Sequence, residues 1–346
     1  MTCIKTKIFG KTFLVSYNKN NRRTNYEEQS SNINDVFNAD IFSSMGQNNN
    51  QPTIKTTEAK IIMHYSALAG GIITDIGDVT ITSKGICWSD SKSLPEISDN
   101  KITSSAAGNS YALHINCLKP GTTYYIRAFA TNKANTIYGN TITIKTLSDE
   151  DGTVSDIEGN IYKTVKIGSQ TWFVENLRIS HYNNGDSIIS TNNEIYEEVK
   201  PQYQWPANGD EELVDKYGRL YTWYVITDKR DICPCGWHVP SQEDFAELIE
   251  YLGGDVEQIG AYLKESETKN WMAPNVGATN SSGFTAIPAG ARDYTSAFVW
   301  FGKSASFWSS TENDIDDAFF YSLDHLNTEF VEDVYSHKAG HTVRCY

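Results

Sequence analysis

Between Pro52 and Leu147 the chain repeats one short device. "TIKTTEAKIIMHYSALAGGIIT", "VTITSKGICWS", "SYALHINCL", "TTYYIRAFATN" and "GNTITIKTL" are brief runs rich in Thr, Ile, Val and Tyr, punctuated by Gly, Asn, Asp and Pro. Strand-forming runs at this spacing predict an all-β sandwich. The most specific stretch is "LKPGTTY", residues 118–124. A Leu closes one strand, Pro-Gly turns the corner, and a Tyr six residues after the Leu is placed to return its hydroxyl to the backbone. That is a tyrosine corner, with Tyr124 as its residue. In "TTYYIRAFATN" Tyr124, Ile126 and Ala128 share one face. Cys87 falls in an expected core strand and reads as a buried free thiol. Cys117, beside the corner, has no evident partner.

A chain of 346 residues suits two domains plus a tail. Residues 18–51 are rich in Asn, Ser and Gln and lack apolar periodicity, so they cannot bury enough to offset their ordering entropy. A disordered polar leader is therefore expected over 1–51, with "DVFNADIF" compatible with one helical turn. The opening "MTCIKTKIFGKTFLVSY" is interrupted by Gly10 and Lys11, too soon for a secretory leader, which needs roughly 7–15 apolar residues. Residues 148–156 read as a linker or the first turn of the next domain. With 29 Lys and Arg against 43 Asp and Glu, the net charge is −14. A polyanion needs clustered cations, so nucleic acid is a poor partner, and neutral ligands, cations or proteins are better ones. No apolar run of about twenty residues exists, so no membrane span is expected. Six cysteines in this length are too sparse for a disulfide-dense scaffold.

Seven of the eight Trp lie in the second half. It opens with "NIYKTVKIG", "SQ" and "TWFVENL", a strand, a turn and a second strand. Further on, residues 233–245 read "CPCGWHVPSQEDF". Ser241 and Asp244 have capping-box spacing, and Glu243 and Asp244 fall in a first turn where the helix dipole favours negative charge. Phe245, Leu248, Ile249 and Leu252 give the helix one apolar face, and Gly253 and Gly254 end it. A zinc site commonly takes two short-spaced ligand pairs, and only one C-x-C stands here. A redox pair is usually C-x-x-C at the helix start, and this pair has the wrong spacing and lies several residues before it. His238, between Trp237 and Val239, reads as structural.

In "WSSTENDIDDAFF", residues 308–320, the oxygen-bearing residues Glu312, Asn313, Asp314, Asp316 and Asp317 are calcium candidates. Counting from Asn313, however, the sixth-position Gly and twelfth-position Glu of an EF-hand are both missing, and an acidic turn between strands is the plainer reading. Trp205, Trp223, Trp271 and Trp300 fall in or near loops, where an indole could stack on a sugar ring, while Trp172, Trp237 and Trp308 read as core. G-x-S-x-G and H-E-x-x-H are absent and the seven His are dispersed, so no enzyme is expected.

Two resemblances sharpen this. Residues 53–147, through "GICWS", "LKPGTTYYIRAFATN" and "YGNTITIKTL", resemble a fibronectin type III–like module of Bacteroidetes surface proteins. The second half resembles the Fibrobacter succinogenes major paralogous domain, through "DIEGNIY", "WFVENL", "YGRLY", "CPCGWHVP", "GFTAIPAG", "FWSSTE" and "VRC". It departs from that pattern at Phe173, where Met is common, at Arg219, and at the additional Cys235. The family in turn resembles C-type lectin and formylglycine-generating-enzyme folds.

These resemblances imply two domains: an immunoglobulin/fibronectin III-like β-sandwich over 52–148, then an α+β C-type-lectin-like domain over 149–346. They imply a bridge from Cys233 to Cys345 that leaves Cys235 spare, with Trp237 as an aromatic plug and Ser241 as a helix cap. They place the protein outside the cell or at its surface. The function expected is non-enzymatic binding of a glycan or a surface protein, with calcium the one cofactor the acidic loop allows. A purely structural interaction module and a glycan-processing enzyme are the alternatives.

Overall fold

The computed structural model describes residues 2–8, 11–17, 51–77, 79–148, 152–195 and 200–346. Within the expected leader, Thr2–Ile8 and Lys11–Tyr17 pair antiparallel, with Ile8 opposite Lys11. Their β-branched and aromatic residues favour strands, a local signal that the polar composition of the following stretch obscured. Residues 18–50, with "DVFNADIF", lie outside the described residues. The hairpin belongs to a unit, 1–49, separate from 50–346.

Residues 53–145 form two antiparallel sheets facing one another. Thr53–Lys60, Ala67–Asp75 and Ser110–Ile115 make the first, with Ala67–Asp75 in the middle. Asn100–Thr103, Ser83–Ser89, Thr123–Thr131 and Ile142–Lys145 make the second in that spatial order, and Thr136–Tyr138 also pairs with Thr123–Thr131. Alternation along each strand sends Ala67, Ala69, Ile86, Tyr111, Ile115, Ile126, Ala128 and Ile144 into one core. Tyr111 spans it, donating its hydroxyl to Gly85 O at 2.8 Å. Gly71 is required opposite it, since a Cβ there would stand 2.6 Å from the Tyr111 hydroxyl and 2.7 Å from Ala128 Cβ. Tyr124 makes the corner: its hydroxyl accepts the Lys119 N–H at 2.9 Å. Cys87 is buried without a disulfide.

The second half is also mostly β, with few helices, and its sheets are small. Thr153–Ser155, Ile161–Ile167 and Gln170–Phe173 form one, Gln204–Pro206 pairs with Arg219–Tyr221, and Ala291–Arg292 pairs with Phe298–Val299. The longest is Ser304–Glu312, Asp317–Asp324 and Phe330–Ser336. The principal helices are Gln242–Tyr251 and Val256–Leu263. Ser241 starts the first as its pattern predicts: its hydroxyl accepts the Asp244 N–H while Asp244 Oδ2 accepts the Ser241 N–H at 2.7 Å. Phe245 and Leu248 are buried, with Ile249 and Leu252 packed beside them.

Among the described residues two disulfides fasten the fold. Cys233–Cys345 joins residues 112 apart, with Cα atoms 5.9 Å from each other. In the chain-entropy account, closing a loop of that length stabilises by roughly 4–5 kcal/mol. Cys235 is not spare, nor is Cys117 without a partner: the two bond to each other across 118 residues, Cα to Cα 5.1 Å. That bond ties the sandwich to the second half, so no spacing within either half reports it. Around it His64 N and Nδ1 meet Ser155 Oγ at 3.1 and 2.9 Å, and Asn116 Nδ2 donates to Asn183 O. Tyr65 of the sandwich packs against the second half's core.

Candidate functional site

The motifs of the second half converge on a frame. In "DIEGNIY" the buried Asp156 carboxylate accepts the Glu158 and Asn160 N–H groups at 2.9 and 3.0 Å and the Tyr162 hydroxyl at 2.7 Å. Burial pushes the Asp156 carboxyl above its usual range. Arg344 of "VRC" is fully buried and makes no salt bridge among the described residues. Its Nε donates to Asn176 Oδ1 at 2.6 Å, and its terminal nitrogens donate to the carbonyls of Phe173 (3.0 Å), Phe284 (2.8 Å) and Thr285 (3.0 Å). One guanidinium thus joins "WFVENL", "GFTAIPAG" and "VRC", its planar fork satisfied by fixed dipoles. Asn176 continues the chain of bonds to Tyr217 O at 2.9 Å, beside Gly218 of "YGRLY". Trp308 of "FWSSTE" is buried and donates its indole N–H to Tyr221 O at 2.7 Å. Trp237 is half-buried, its ring 4.9 Å from that of Phe173. These residues hold the domain together.

A depression of about 230 Å³ lies elsewhere, lined by Ile195, Tyr224, Tyr294, Asp316, Ser336, His337 and Lys338. Five separate segments bring these together. Ile195 is fixed by its N–H to Tyr294 O at 3.4 Å. The His337 ring stacks on Trp223, centroids 4.2 Å apart and planes 14° apart, with Nδ1 3.3 Å from the Tyr224 hydroxyl. Its backbone N–H donates to Asp316 O at 2.9 Å, which ties the acidic turn to the floor. Burial holds the imidazole below its ordinary pKa, opposed by the carboxylates of Glu312, Asp317 and Asp314. A neutral ring is therefore favoured, one able to donate and accept at once. Tyr294 and Asp316 are exposed at the rim. Aromatic faces beside a carboxylate, a hydroxyl and an ammonium suit a ligand with both flat apolar and polar faces.

A family model described as the Fibrobacter succinogenes major domain matches residues 165–346, just over half of the chain. The chain belongs to that family. No curated protein matches it. Among solved structures it is similar to the sensor domain of the anti-sigma factor RsgI4 of Pseudobacteroides cellulosolvens, at 20% identity and a TM-score of 0.24 over 29% of this chain and 78% of that one. It is similar also to the sixth fibronectin type III domain of human fibronectin type III domain containing protein 3, at 18% identity and a TM-score of 0.22 over 28% and 88%. Titin domains A168–A170 match at 16% identity and a TM-score of 0.20, over 28% and 32%.

In the Fibrobacter succinogenes major domain the Trp residues expected in loops are mostly interior. Trp205 is 1% exposed, donates its indole N–H to Thr191 O at 2.6 Å, and lies under the Arg292 guanidinium at 4.2 Å. Trp271 is 2% exposed and donates to Ala286 O at 2.9 Å. Neither can stack on a ligand, because the loops fold over them and consume their N–H groups. Trp223 is likewise buried, as the platform under His337. Trp300 is 48% exposed and lies outside the depression's lining.

The acidic stretch is the turn between Ser304–Glu312 and Asp317–Asp324. Asp314 Oδ1 folds back onto the Asp316 and Asp317 N–H groups at 2.9 and 3.0 Å. Asp314 is thus committed to its own turn, whereas Asp316 reaches the depression. Among the described residues no group of three or more His, Cys, Asp or Glu is arranged to hold a metal ion. Sequence reasoning missed Tyr224, Tyr294 and His337. Their only early signal was the concentration of aromatics in this half.

Proposed function

We propose that this is a non-enzymatic protein of an oxidising, extracytoplasmic surface. In this reading a fibronectin III-like sandwich carries a C-type-lectin-like Fibrobacter succinogenes major domain, whose depression takes a glycan. The convergence of five segments on one aromatic and acidic depression is the observation that carries the reading. The rings of Tyr224 and Tyr294 offer faces for the C–H side of a pyranose, and Asp316 offers acceptors for its hydroxyls. At about 230 Å³ the depression is smaller than the roughly 300–1,000 Å³ of ordinary small-molecule pockets, which suits one terminal sugar better than a long chain. Two disulfides fit an oxidising compartment.

A glycan array probed with the whole chain, with and without calcium, tests this. Retention of a glycan, weakened at least tenfold by Tyr294→Ala and by Asp316→Asn, is expected. No retention in either condition, or retention indifferent to both substitutions, sinks it. A second reading, docking of a surface protein on the same face, is favoured by Ile315, 84% exposed and adjoining Asp316.

A further inference from the structure

The two disulfides differ in what reaches them. Cys233 and Cys345 are 0% exposed and belong to the domain core. The segment around Cys345 is held on both sides: Phe173 N–H donates to Cys345 O, and Tyr346 and His238 exchange backbone hydrogen bonds at 3.0 Å each. Cys117 is exposed and Cys235 half-buried. Thiol–disulfide exchange needs a thiolate to reach a sulfur, so access separates the two bonds. Cys117 also sits in the left-handed region, φ 55°, a conformation that a non-glycine residue keeps only when its surroundings impose it.

The surroundings of this bond are polar. His64, Ser155, Asn116 and Asn183 meet there, and the amide oxygens Asn116 Oδ1 and Asn183 Oδ1 are buried with no hydrogen-bond partner among the described residues. Besides the packing of Tyr65, the junction rests on single hydrogen bonds of modest net worth, whereas each half keeps its own apolar core.

We propose that Cys117–Cys235 is a thiol-exchange site, a clasp between the sandwich and the family domain that a dithiol reductant opens while Cys233–Cys345 stays closed. The reductant's thiolate attacks the sulfur of the exposed Cys117, the S–S bond breaks, and Cys235 leaves as a thiolate that takes a proton from water. The reductant's second thiol then attacks its own sulfur in the mixed disulfide and releases Cys117. Two electrons pass from the dithiol, which ends as a disulfide. Cys87 does not compete. It is buried, its thiol pushed up to about 11, and its S–H directed at Pro95 O at 3.4 Å.

The test uses the whole native chain in graded dithiothreitol. Free thiols are trapped with one alkylating mass label, and the remainder are labelled differently after unfolding and full reduction. Cys117 and Cys235 should take the first label at least tenfold faster than Cys233 and Cys345. On opening, amide exchange should rise at residues 61–66, 114–118 and 155–159 and stay unchanged in Gln242–Tyr251. The double variant Cys117→Ser, Cys235→Ser should show the same exchange pattern without reductant. Equal labelling rates, or earlier labelling of Cys233 and Cys345, overturn the proposal. So does unchanged exchange at those junction segments once the bond is open.

Discussion

The sandwich and the family domain carry their cores by different means. The sandwich rests on backbone ladders: strands of up to nine residues pair antiparallel, small aliphatic side chains meet between the sheets, and the tyrosine corner closes one edge. In the family domain several strands are only two or three residues long, and side chains take over the long-range connections. Arg344 joins three segments. The buried Lys264 ammonium donates to the carbonyls of Val276, Asp324 and Asn327 at 2.9, 3.0 and 2.6 Å, and Arg292 lies over Trp205. Where ladders are short, buried cations satisfied by backbone carbonyls become the cross-links. A chain built this way tolerates long irregular loops and depends steeply on a few residues.

The largest break in this comparison is Arg344→Leu. It would leave three carbonyls and the Asn176 amide oxygen buried without a donor, so a loss of about 4 kcal/mol is expected in urea unfolding. Amide exchange should show the loss in the family domain while the sandwich strands keep their protection. Loss of protection in both together would mean that the two halves unfold as one.

Acid should act next, through His341. The ring is fully buried between Phe320 and Trp308, and burial draws its pKa from 6.5 to about 3. The Ser306 hydroxyl donates to Gly290 O, so its oxygen accepts from His341 Nδ1 at 2.8 Å, which leaves Nε2 as a buried bare acceptor. Below pH 6.5 the unfolded chain takes up a proton that the fold refuses until about pH 3. Stability is therefore intact above 6.5 and falls by about 1.4 kcal/mol per pH unit between those limits. A pH series of urea midpoints should show that slope and its reduction in His341→Phe. An unaltered slope in the variant assigns the acid sensitivity elsewhere.

Two smaller changes sharpen the contrast. Tyr124→Phe removes the corner bond and should cost about 1 kcal/mol, confined to the sandwich strands in amide exchange. Ser241→Ala removes a helix cap and should cost about 1 kcal/mol, confined to the exchange of Gln242–Tyr251. A spread of either effect into the other half would erase the distinction.

What could be read in advance follows the same division. "LKPGTTY" and "PSQEDF" specify a corner and a cap from residues within one turn of each other, and both stand where the pattern puts them. Trp205 and Trp271 misled, because a residue's place between strands says nothing of whether the loop folds over it. The depression was invisible because Ile195, Tyr224, Tyr294, Asp316 and His337 come from segments with no shared spacing. Cys117 and Cys235 each lacked a partner in their own half, and only the packing of the halves supplied it.

The two bonds also set how this molecule bears a pull. Tension between any residue of 53–116 and Tyr346 runs along the chain to Cys117, crosses to Cys235, passes Pro234 to Cys233, and crosses again to Cys345. Residues 118–232 and 236–344 lie outside that covalent path. Every residue lining the depression is in those spared loops. While both bonds hold, stretching loads a short covalent shortcut and leaves the face with the depression slack; opening the clasp puts 118–232 back into the line of force.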